Sequence, residues 1–468
     1  MFEDNILPAG VGSVPTGQCT EGKTKFADEA QGGLPMADAI KFIHAADFHL
    51  DQPIRGLTEL PAHLRTRLAN APYDAAGKVF DLAVAERVDF VLLTGDLFDI
   101  ESGSARAYAF LQSEFQRLAE KNIHIYWCGG EFDFPDRWPS SVALPDNVIT
   151  FSSSIIDEIE HRRDGKRICA IFASGYDNKR LSLVDFDGSE SDTFNIGMTY
   201  GQFEASNLTG PNIHYWALGG VHKATTFEKT DTIGVYPGTP QGRRPQETGA
   251  RGFKLCRVDG KGKLRVQTVE TNSVRFIPQK VSISENVSMK SLKETLTERG
   301  MKLISECPEQ LVLTRWYLVT EGEFNPRIRK IEWAAELLEW LRDEFGRGEH
   351  GVWSTDVKVE APKSLPSNWY EEDTILGEYM RAVARYQSDD SLKLDLHQYM
   401  PQTVKGDAMA NVGFVSRDSR DSVLRKAGMT GIEYLAAHKE VAEATPGDID
   451  LGIEVEKRAR SVAPDALR

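Results

Sequence analysis

The sequence has no apolar run that approaches the roughly 18 residues needed to cross a membrane, and its mean hydropathy is -0.37. Hydrophobic residues still make up 41% of the chain, which is enough for ordinary globular cores. Residues 1–40 carry too many acidic and polar side chains to contain the apolar core of a secretory leader. We therefore expect neither a membrane span nor a membrane partner.

Cysteine is scarce, and its spacing contains no Cys-x-x-Cys pair. The 5 cysteines are odd in number and widely scattered along the chain. This spacing argues against a disulfide framework and against a structural zinc site. A reducing compartment is expected, and the cytoplasm is the predicted location.

The chain also lacks a net positive charge, because its formal net charge is -15. Proteins that neutralise phosphates usually present a basic face, so long-range attraction to nucleic acid should be weak. Any contact with DNA must then come from a local patch, for which solvated loop charge is the alternative explanation. One basic cluster contains Arg162, Arg163, Lys166 and Arg167. The second contains Lys229 and the predicted nucleic-acid contacts Lys223, Arg243, Arg244 and Arg251.

The length and the periodicity of the chain predict several domains. At 468 residues it is about twice as long as a single core usually grows, so two or three domains are expected. Apolar strands near the start alternate with helical segments, of which the one at 61–87 should break near Pro72. This alternation predicts an α/β core. Short strands and a hairpin follow, and the first domain is predicted to span 40–275.

The remainder of the chain differs in composition and pattern. Residues 280–362 predict a strand, a helix, a strand, a helix and a strand in that order, which is a compact α+β module. Residues 368–400 have helical periodicity and 402–468 are polar and charged, so 368–468 is expected to be a helical, partly disordered region. Residues 1–39 form a tail that is either disordered or precedes the true start, since Met36 opens a plausible beginning.

Ligand-type side chains follow three of the predicted strands at their carboxyl ends, where α/β proteins place their chemistry. Asp47 and His49 lie two apart directly after the first strand, and Asp96 follows the second. His222 follows a later strand through two glycines. A lone histidine or aspartate is more often structural, for instance as a helix N-cap. The four together favour a divalent cation held by oxygen and nitrogen ligands.

Four segments, KFIHAADFHLDQPIRGL, DFVLLTGDLFD, YWALGGVHK and VYPGTPQGRRPQETGARGF, occur in this order. They resemble the calcineurin-like metallophosphoesterases, and most closely the SbcD/YhaO-type bacterial DNA repair exonucleases. The match covers residues 40–275 and extends more faintly through 280–400, which resembles that family's capping domain. The resemblance implies an α/β fold, namely a metallophosphoesterase β-sandwich flanked by helices, with a small α+β capping domain and a helical C-terminal region.

The resemblance also implies a metal cofactor. In that family two divalent metals, typically manganese, clamp the phosphodiester and activate the attacking water. Carried over position by position, Asp47, His49, Asp96 and His222 match the ligand set of one metal. A divalent metal, with Mn²⁺ as the expected ion, is therefore implied for this chain.

The residues that bind the second metal in the family are replaced by other residue types in this chain. The family's asparagine ligand corresponds to Glu131, and two of its histidine ligands correspond to Tyr200 and Gly220. The histidine that protonates the leaving group corresponds to Phe132, in the loop GGEFDFP. We therefore expect one metal per chain rather than two, with Glu131 as an additional ligand of that metal.

The loss of the acid-base histidine predicts slow or altered chemistry. General acid-base assistance commonly contributes about 10²–10⁴ in rate, and Phe132 cannot supply it. Asp133 or Glu131 can substitute only if its pKa is raised. Catalytic roles are accordingly predicted for Asp96, Glu131 and Asp133.

Three functions remain open from the sequence. The first is a DNA exonuclease or endonuclease that works with an SbcC-like ATPase partner, as the resemblance implies. The second is a catalytically weak or inactive scaffold that keeps one metal and binds DNA or the ATPase. The third is a phosphoesterase for a small phosphate ester, for which an acidic surface is less of a handicap. A homodimer through the nuclease-like domain is a further implication of the resemblance.

Overall fold

The computed structural model describes residues 39–57, 59, 61–151, 155–176, 183–188, 193–208, 212–284, 287–321, 331–348, 350–360, 370–392, 394 and parts of 420–435. The predicted tail at 1–39 lies outside these residues except for Ala39, and so does most of the predicted region 402–468. The strands are β1 (Ile40–Ala45), β2 (Phe90–Thr94), β3 (His124–Cys128), β4 (Val148–Phe151), β5 (Asp157–Arg163), β6 (Lys166–Ala173), β7 (Phe194–Tyr200), β8 (Tyr215–Gly219), β9 (Thr225–Lys229), β10 (Thr232–Tyr236), β11 (Gly252–Val258), β12 (Leu264–Glu270), β13 (Val274–Phe276), β14 (Gln279–Ser284), β15 (Leu311–Glu321) and β16 (Val352–Glu360). The helices are α1 (Ala62–Glu86), α2 (Ala105–Ala119), α3 (Met289–Glu306), α4 (Ile331–Phe345) and α5 (Ile375–Ser388).

Two six-stranded sheets form a sandwich, with orders β12-β11-β1-β2-β3-β4 and β5-β6-β7-β8-β10-β9. Apolar side chains from both sheets, such as Phe42, Leu92, Ile196 and Tyr215, pack into one cluster between them. On the outer face of the first sheet, α1 and α2 pack through a second cluster that includes Phe80. Strands covered on both faces are continuously apolar rather than alternating, as in the segment Phe90–Thr94. The predicted α/β sandwich flanked by helices is confirmed.

The parallel strands bring the polar turns to one edge of the sandwich. In the first sheet, β1, β2 and β3 run parallel, and in the second, β6, β7 and β8 run parallel. The carboxyl ends of parallel strands meet at the same edge of a sheet. The ends of β2 and β8 approach so closely that a Cβ on Gly219 would lie 1.6 Å from the carbonyl oxygen of Thr94. Glycine at that position is what allows the two sheets to meet beside the predicted ligands.

The helix α1 is continuous from Ala62 to Glu86, so the break predicted near Pro72 is wrong. Proline in a helix interior removes one backbone hydrogen bond and crowds the preceding turn. The residues on either side of it, Ala71 and Tyr73, are buried together with Pro72 itself. Burial of these side chains therefore outweighs the local cost.

The chain divides into two compact units. The first contains residues 1–280, 289–317 and 336–358, and the second contains 281–288, 318–335 and 359–468. The order strand, helix, strand, helix and strand predicted for 280–362 is observed as β14, α3, β15, α4 and β16. In the second unit, Leu376 and Met380 of α5 pack with Ile432. The domain boundaries and the capping role of 280–362 stay predictions.

Among the residues that the structure describes, no helix combines the length and the apolar character needed to cross a membrane. Three cysteines, Cys128, Cys169 and Cys256, are free and buried. Burial raises the pKa of the thiol of Cys256 to about 12, so this side chain acts as a small apolar group in the core.

Candidate metal centre

Tight turns after β1 and β2 place polar side chains at the shared edge of the sandwich. The backbone N–H of Asp47 donates to Gly95 O at 3.0 Å, and that of His49 donates to Asp96 O at 2.9 Å. Asp47, His49 and Asp96 all have positive φ, at 55°, 45° and 55°. A left-handed backbone is unfavourable for residues with a Cβ and concentrates at functional sites. The fold therefore holds these three side chains together at a cost in local strain.

Asp47, His49 and His222 are the group of potential metal ligands found among the described residues. Their ligand atoms all lie within 4.8 Å of one another, and the Nε2 atoms of the two histidines are 3.0 Å apart. Asp47 Oδ1 lies 4.0 Å from His49 Nε2, is buried, and has no hydrogen-bond partner among the described residues. A buried oxygen of this kind is costly unless something positive approaches it. One oxygen and two imidazole nitrogens fit a divalent cation.

The pKa shifts of Asp47 and His49 are compatible with metal binding by this group. Burial, with a smaller contribution from the nearby Asp96, raises the pKa of Asp47 well above its usual range. Burial, assisted by the charge of Arg243, lowers the pKa of His49 well below its usual range. A neutral imidazole is the form that binds a metal, and a divalent cation would favour the ionised form of the buried carboxylate.

Asp96, the fourth predicted ligand, borders this group. Its side chain is buried, and Oδ2 lies 3.8 Å from His49 Nε2. Tyr200 Oη donates a hydrogen bond to the same Oδ2 at 2.6 Å, and the backbone N–H of Phe132 donates to Oδ1 at 3.3 Å. Burial raises the pKa of Asp96, and the hydrogen bond from Tyr200 acts in the opposite direction. The carboxylate of Asp96 is thus shared between the group of three and the phenol of Tyr200.

The ring of Tyr200 lies in a space that three glycines leave open. A Cβ added to Gly95, Gly130 or Gly220 would lie 2.7, 2.7 and 2.9 Å from carbon atoms of that ring. Burial, together with the charge of Asp96, raises the pKa of Tyr200 far above its usual value. The phenol therefore stays neutral, and a neutral phenol is a poor metal ligand. Gly220, which has no side chain, contributes only a backbone N–H to Asp47 Oδ2 at 3.3 Å.

Glu131 and Phe132 lie on the exposed side of the site. Glu131 is exposed and is not part of the convergent group of potential ligands among the described residues. Phe132 is 40% exposed, and its ring centroid lies 6.3 Å from that of His49. The structure therefore brings an apolar ring, without acid-base capacity, to the mouth of the site. The role of Glu131 as an additional ligand stays a prediction.

Asp133 has a structural role that the sequence did not reveal. Its two oxygens accept hydrogen bonds from the backbone N–H groups of Asp96, Gly130 and Leu97 and from Trp127 Nε1, at 2.8, 2.6, 2.9 and 3.1 Å. Burial, with a contribution from Asp96, raises the pKa of Asp133 to about 7. A carboxylate enclosed by four donors has no free position from which to exchange a proton with a substrate. The catalytic role predicted for Asp133 does not fit this placement, and its bonds instead fix the loop around Gly130.

Glu247 orients His222, and sequence reasoning missed it. Glu247 Oε1 lies 2.7 Å from His222 Nδ1, which leaves Nε2 to face His49. Burial alone would raise the pKa of Glu247, but the hydrogen bonds from His222 and from the Arg243 backbone lower it to about 2. Carboxylates that hold the outer nitrogen of a ligating histidine fix its tautomer and orientation. The signal was present in the segment RRPQE, whose glutamate sits four residues after Arg243.

The predicted nucleic-acid contacts fall into two kinds. Lys223 and Arg244 are exposed, as expected for residues that reach a ligand. Arg251 is partly buried and donates through Nη1 to the carbonyl oxygen of His222, so it supports the histidine loop. Arg243 is only 2% exposed. The four residues do not form one uniform surface patch.

Comparison with known proteins places these observations in a family. The family model described as calcineurin-like phosphoesterase matches residues 40–195, which include Asp47, His49, Asp96 and the loop with Phe132. The uncharacterized metallophosphoesterase YhaO of Bacillus subtilis is 31% identical over 375 residues, covering 76% of this chain and 90% of the relative.

Two more distant similarities were also found. The DNA double-strand break repair protein Mre11 of Saccharolobus solfataricus is 27% identical over 111 residues, covering 24% of this chain and 26% of that protein. Among solved structures, a dimetal phosphatase from Danio rerio matches with a TM-score of 0.31 and 11% identity, over 49% of this chain and 97% of the other.

Proposed function

The chain belongs to the calcineurin-like metallophosphoesterases, and we propose that it acts on phosphodiesters of DNA at a single divalent metal. The observation that carries the proposal is the convergence of Asp47, His49 and His222 on one point, with an unpartnered buried oxygen on Asp47. Two nitrogens and a carboxylate oxygen suit Mn²⁺, which accepts both ligand types. When bound, such a metal supplies Lewis acidity to a phosphoryl oxygen.

Tyr200 and Phe132 limit the rate of hydrolysis that we expect. Tyr200 holds Asp96 through a neutral phenol, and no second group of three or more ligands occurs among the described residues. Phe132 cannot protonate a leaving group, and the loss of general acid-base assistance commonly costs about 10²–10⁴ in rate. We therefore expect hydrolysis that is much slower than in a two-metal enzyme.

DNA is proposed as the substrate on two grounds. The first ground is that a relative is named a DNA double-strand break repair protein. The second ground is that arginines lie beside the site in a chain that is otherwise strongly acidic, since the charges of Arg243 and Arg244 both act on His49. An SbcC-like ATPase partner and a homodimer are proposed from the family resemblance alone.

The test is metal content, measured beside DNA cleavage. Purified protein supplied with Mn²⁺ should contain one metal per chain by elemental analysis, and should cleave linear duplex or single-stranded DNA slowly. Asp47→Ala and His222→Ala should both lose the metal and the cleavage. Lys223→Ala, next to His222 but exposed, is the matched control and should keep the metal. Two metals per chain in the wild-type protein would contradict the single-site proposal.

A second function is favoured by the exposed ring of Phe132 and the partly buried phenol of Tyr200. These residues occupy the positions where the family carries out proton transfer and binds its second metal. A scaffold that keeps one metal and binds DNA without cutting it would have the same site. One metal per chain, DNA binding that weakens steeply with salt, and no cleavage would identify this function.

A further inference from the structure

Arg243 is a buried guanidinium with an unusual set of contacts. The residue is only 2% exposed. Its Nη1 donates to Gln52 Oε1, whereas Nε and Nη2 have no hydrogen-bond partner among the described residues. Leaving buried charged donors unpaired is costly, so these two N–H groups call for a further acceptor.

The two unpartnered nitrogens, Nε and Nη2, can donate side by side to one ligand, as the two prongs of a fork. In a planar guanidinium, the Nε–H bond and one Nη2–H bond point in parallel, and two oxygens of one carboxylate or phosphate can accept them together. Gln52 occupies the other side of the group, through Nη1. The free side of Arg243 is therefore suited to a planar or tetrahedral oxyanion rather than to a single carbonyl oxygen.

The backbone of Arg243 is fixed beside the metal ligands. Glu247 Oε2 accepts the Arg243 backbone N–H at 2.6 Å, while Oε1 of the same carboxylate holds His222. The charge of Arg243 acts on both Asp47 and His49. One carboxylate thus ties the buried arginine and a metal-ligating histidine to the same loop.

We propose that Arg243 binds two non-bridging oxygens of the substrate phosphate through Nε and Nη2, next to the metal held by Asp47, His49 and His222. The inference rests on the proposed phosphoesterase function and extends it by naming the group that recognises the phosphate. Arg244 is exposed, so it contributes charge to the approach but not this buried fork. Recognition is directed at the phosphate and carries no base preference.

Binding of inorganic phosphate to the full-length protein, measured by calorimetry with and without Mn²⁺, is the direct test. Arg243→Gln should weaken phosphate binding by about tenfold or more, as expected when charge-assisted hydrogen bonds are lost. Arg243→Lys keeps the charge but not the fork, and should also weaken binding clearly. The control Arg265→Gln, an exposed change on β12, should stay within about twofold of the wild-type protein. Elemental analysis should find the same Mn²⁺ content in all of these proteins, because none of the changes removes a ligand.

Several outcomes would overturn the inference. They are phosphate binding by Arg243→Gln at wild-type strength, binding by Arg243→Lys at wild-type strength, or an equal loss in Arg265→Gln. If Arg243→Gln does not fold, the Nε–H resonance of Arg243 in arginine-labelled wild-type protein decides the question, and it must shift when phosphate is added. A protein that binds phosphate through Arg243 but cleaves no DNA would leave the inference intact and refute only the hydrolytic part of the proposed function.

Discussion

Tyr200 donates a 2.6 Å hydrogen bond to Asp96, and its ring lies against the positions where Gly95, Gly130 and Gly220 have no side chain. Gly220 is therefore not merely a lost ligand, because any side chain there would collide with the tyrosine ring. The replacements at 200 and 220 form a matched pair. Together they fill one half of the site with a neutral phenol and leave the other half for a metal.

Gly220→Ala should destabilise the protein by more than its backbone conformation alone requires. Gly220 has φ of +93°, and an added Cβ would lie 2.9 Å from Tyr200 Cζ. The left-handed backbone costs roughly 1–2 kcal/mol for a residue with a Cβ, and the collision adds to it. Gly165→Ala is the control, because Gly165 has φ of +80° and nothing within 4 Å of its Cβ position.

Combining Gly220→Ala with Tyr200→Ala should recover the steric part of that loss. Urea unfolding of the two single variants and the double variant gives the coupling free energy, which we expect to be about 1 kcal/mol or more. Additive effects would mean that the ring and the glycine are independent.

Glu247→Gln should weaken metal binding by about 10–100-fold, the usual effect of removing a carboxylate that orients a ligating histidine. Glu247 lies 2.7 Å from His222 Nδ1, and an amide holds an imidazole less firmly than a carboxylate does. Titration of the metal-free protein with Mn²⁺ measures the affinity. Glu228→Gln, an exposed change on β9, should have no effect, and an unchanged affinity in Glu247→Gln would contradict the orienting role of Glu247.

Asp133→Ala should lower the free energy of unfolding by about 3–5 kcal/mol. It leaves the buried N–H groups of Asp96, Leu97, Gly130 and Trp127 without their acceptor, and each unpaired group costs about 1–3 kcal/mol before relaxation. Asp136→Ala, an exposed aspartate in the same loop, is the control. A folded Asp133→Ala protein with wild-type stability but no catalysis would restore the catalytic role for this residue.

His44 should make the protein acid-sensitive. It lies between Tyr215 Oη at 2.8 Å and Thr94 Oγ1 at 3.0 Å, and burial, with the charge of Lys254, lowers its pKa from 6.5 to about 3. The unfolded chain therefore binds a proton that the folded chain does not, so stability is present above about pH 6.5 and is lost as the pH falls towards 3. The loss is about 1.4 kcal/mol per pH unit.

The free energy of unfolding, compared between wild type and His44→Gln from pH 7 to 4, isolates this contribution. The wild-type protein should lose stability more steeply than the variant, whereas the exposed change His350→Gln should follow the wild type. Parallel curves for wild type and His44→Gln would contradict the prediction.

Rebuilding the second half of the site should add a metal. Glu131→Asn, Phe132→His, Tyr200→His and Gly220→His restore the residue types that the family resemblance implies. The change at 220 can be accommodated only with the change at 200, because of the collision with the ring. Elemental analysis should find two metals per chain, and cleavage of linear DNA should increase by about 10²–10⁴ through the restored general acid. Two metals without any gain in cleavage would mean that Phe132 is not the position of the acid.

The alternation of apolar strands with helical segments predicted the α/β core, and the resemblance of four ordered segments to a known family implied the sandwich. The sequence also predicted that Asp47, His49, Asp96 and His222 lie together, since residues at the carboxyl ends of parallel strands share an edge. It failed at Pro72, where burial of the helix around the proline outweighs one lost hydrogen bond. It gave no sign of the structural role of Asp133, whose residue type fits catalysis as well as it fits a structural acceptor.

The sequence by itself predicted the α/β class and the residue types of the metal group, and its family resemblance implied the replaced positions at 131, 132, 200 and 220. Only the tertiary structure decided how each polar group is used. Whether a carboxylate faces a ligand, a phenol or a set of backbone and indole N–H groups depends on segments far apart in the chain. Asp96 with Tyr200, and Glu247 with His222, are such pairs. Burial converts those pairings into fixed charge and protonation states, which spacing along the chain does not encode.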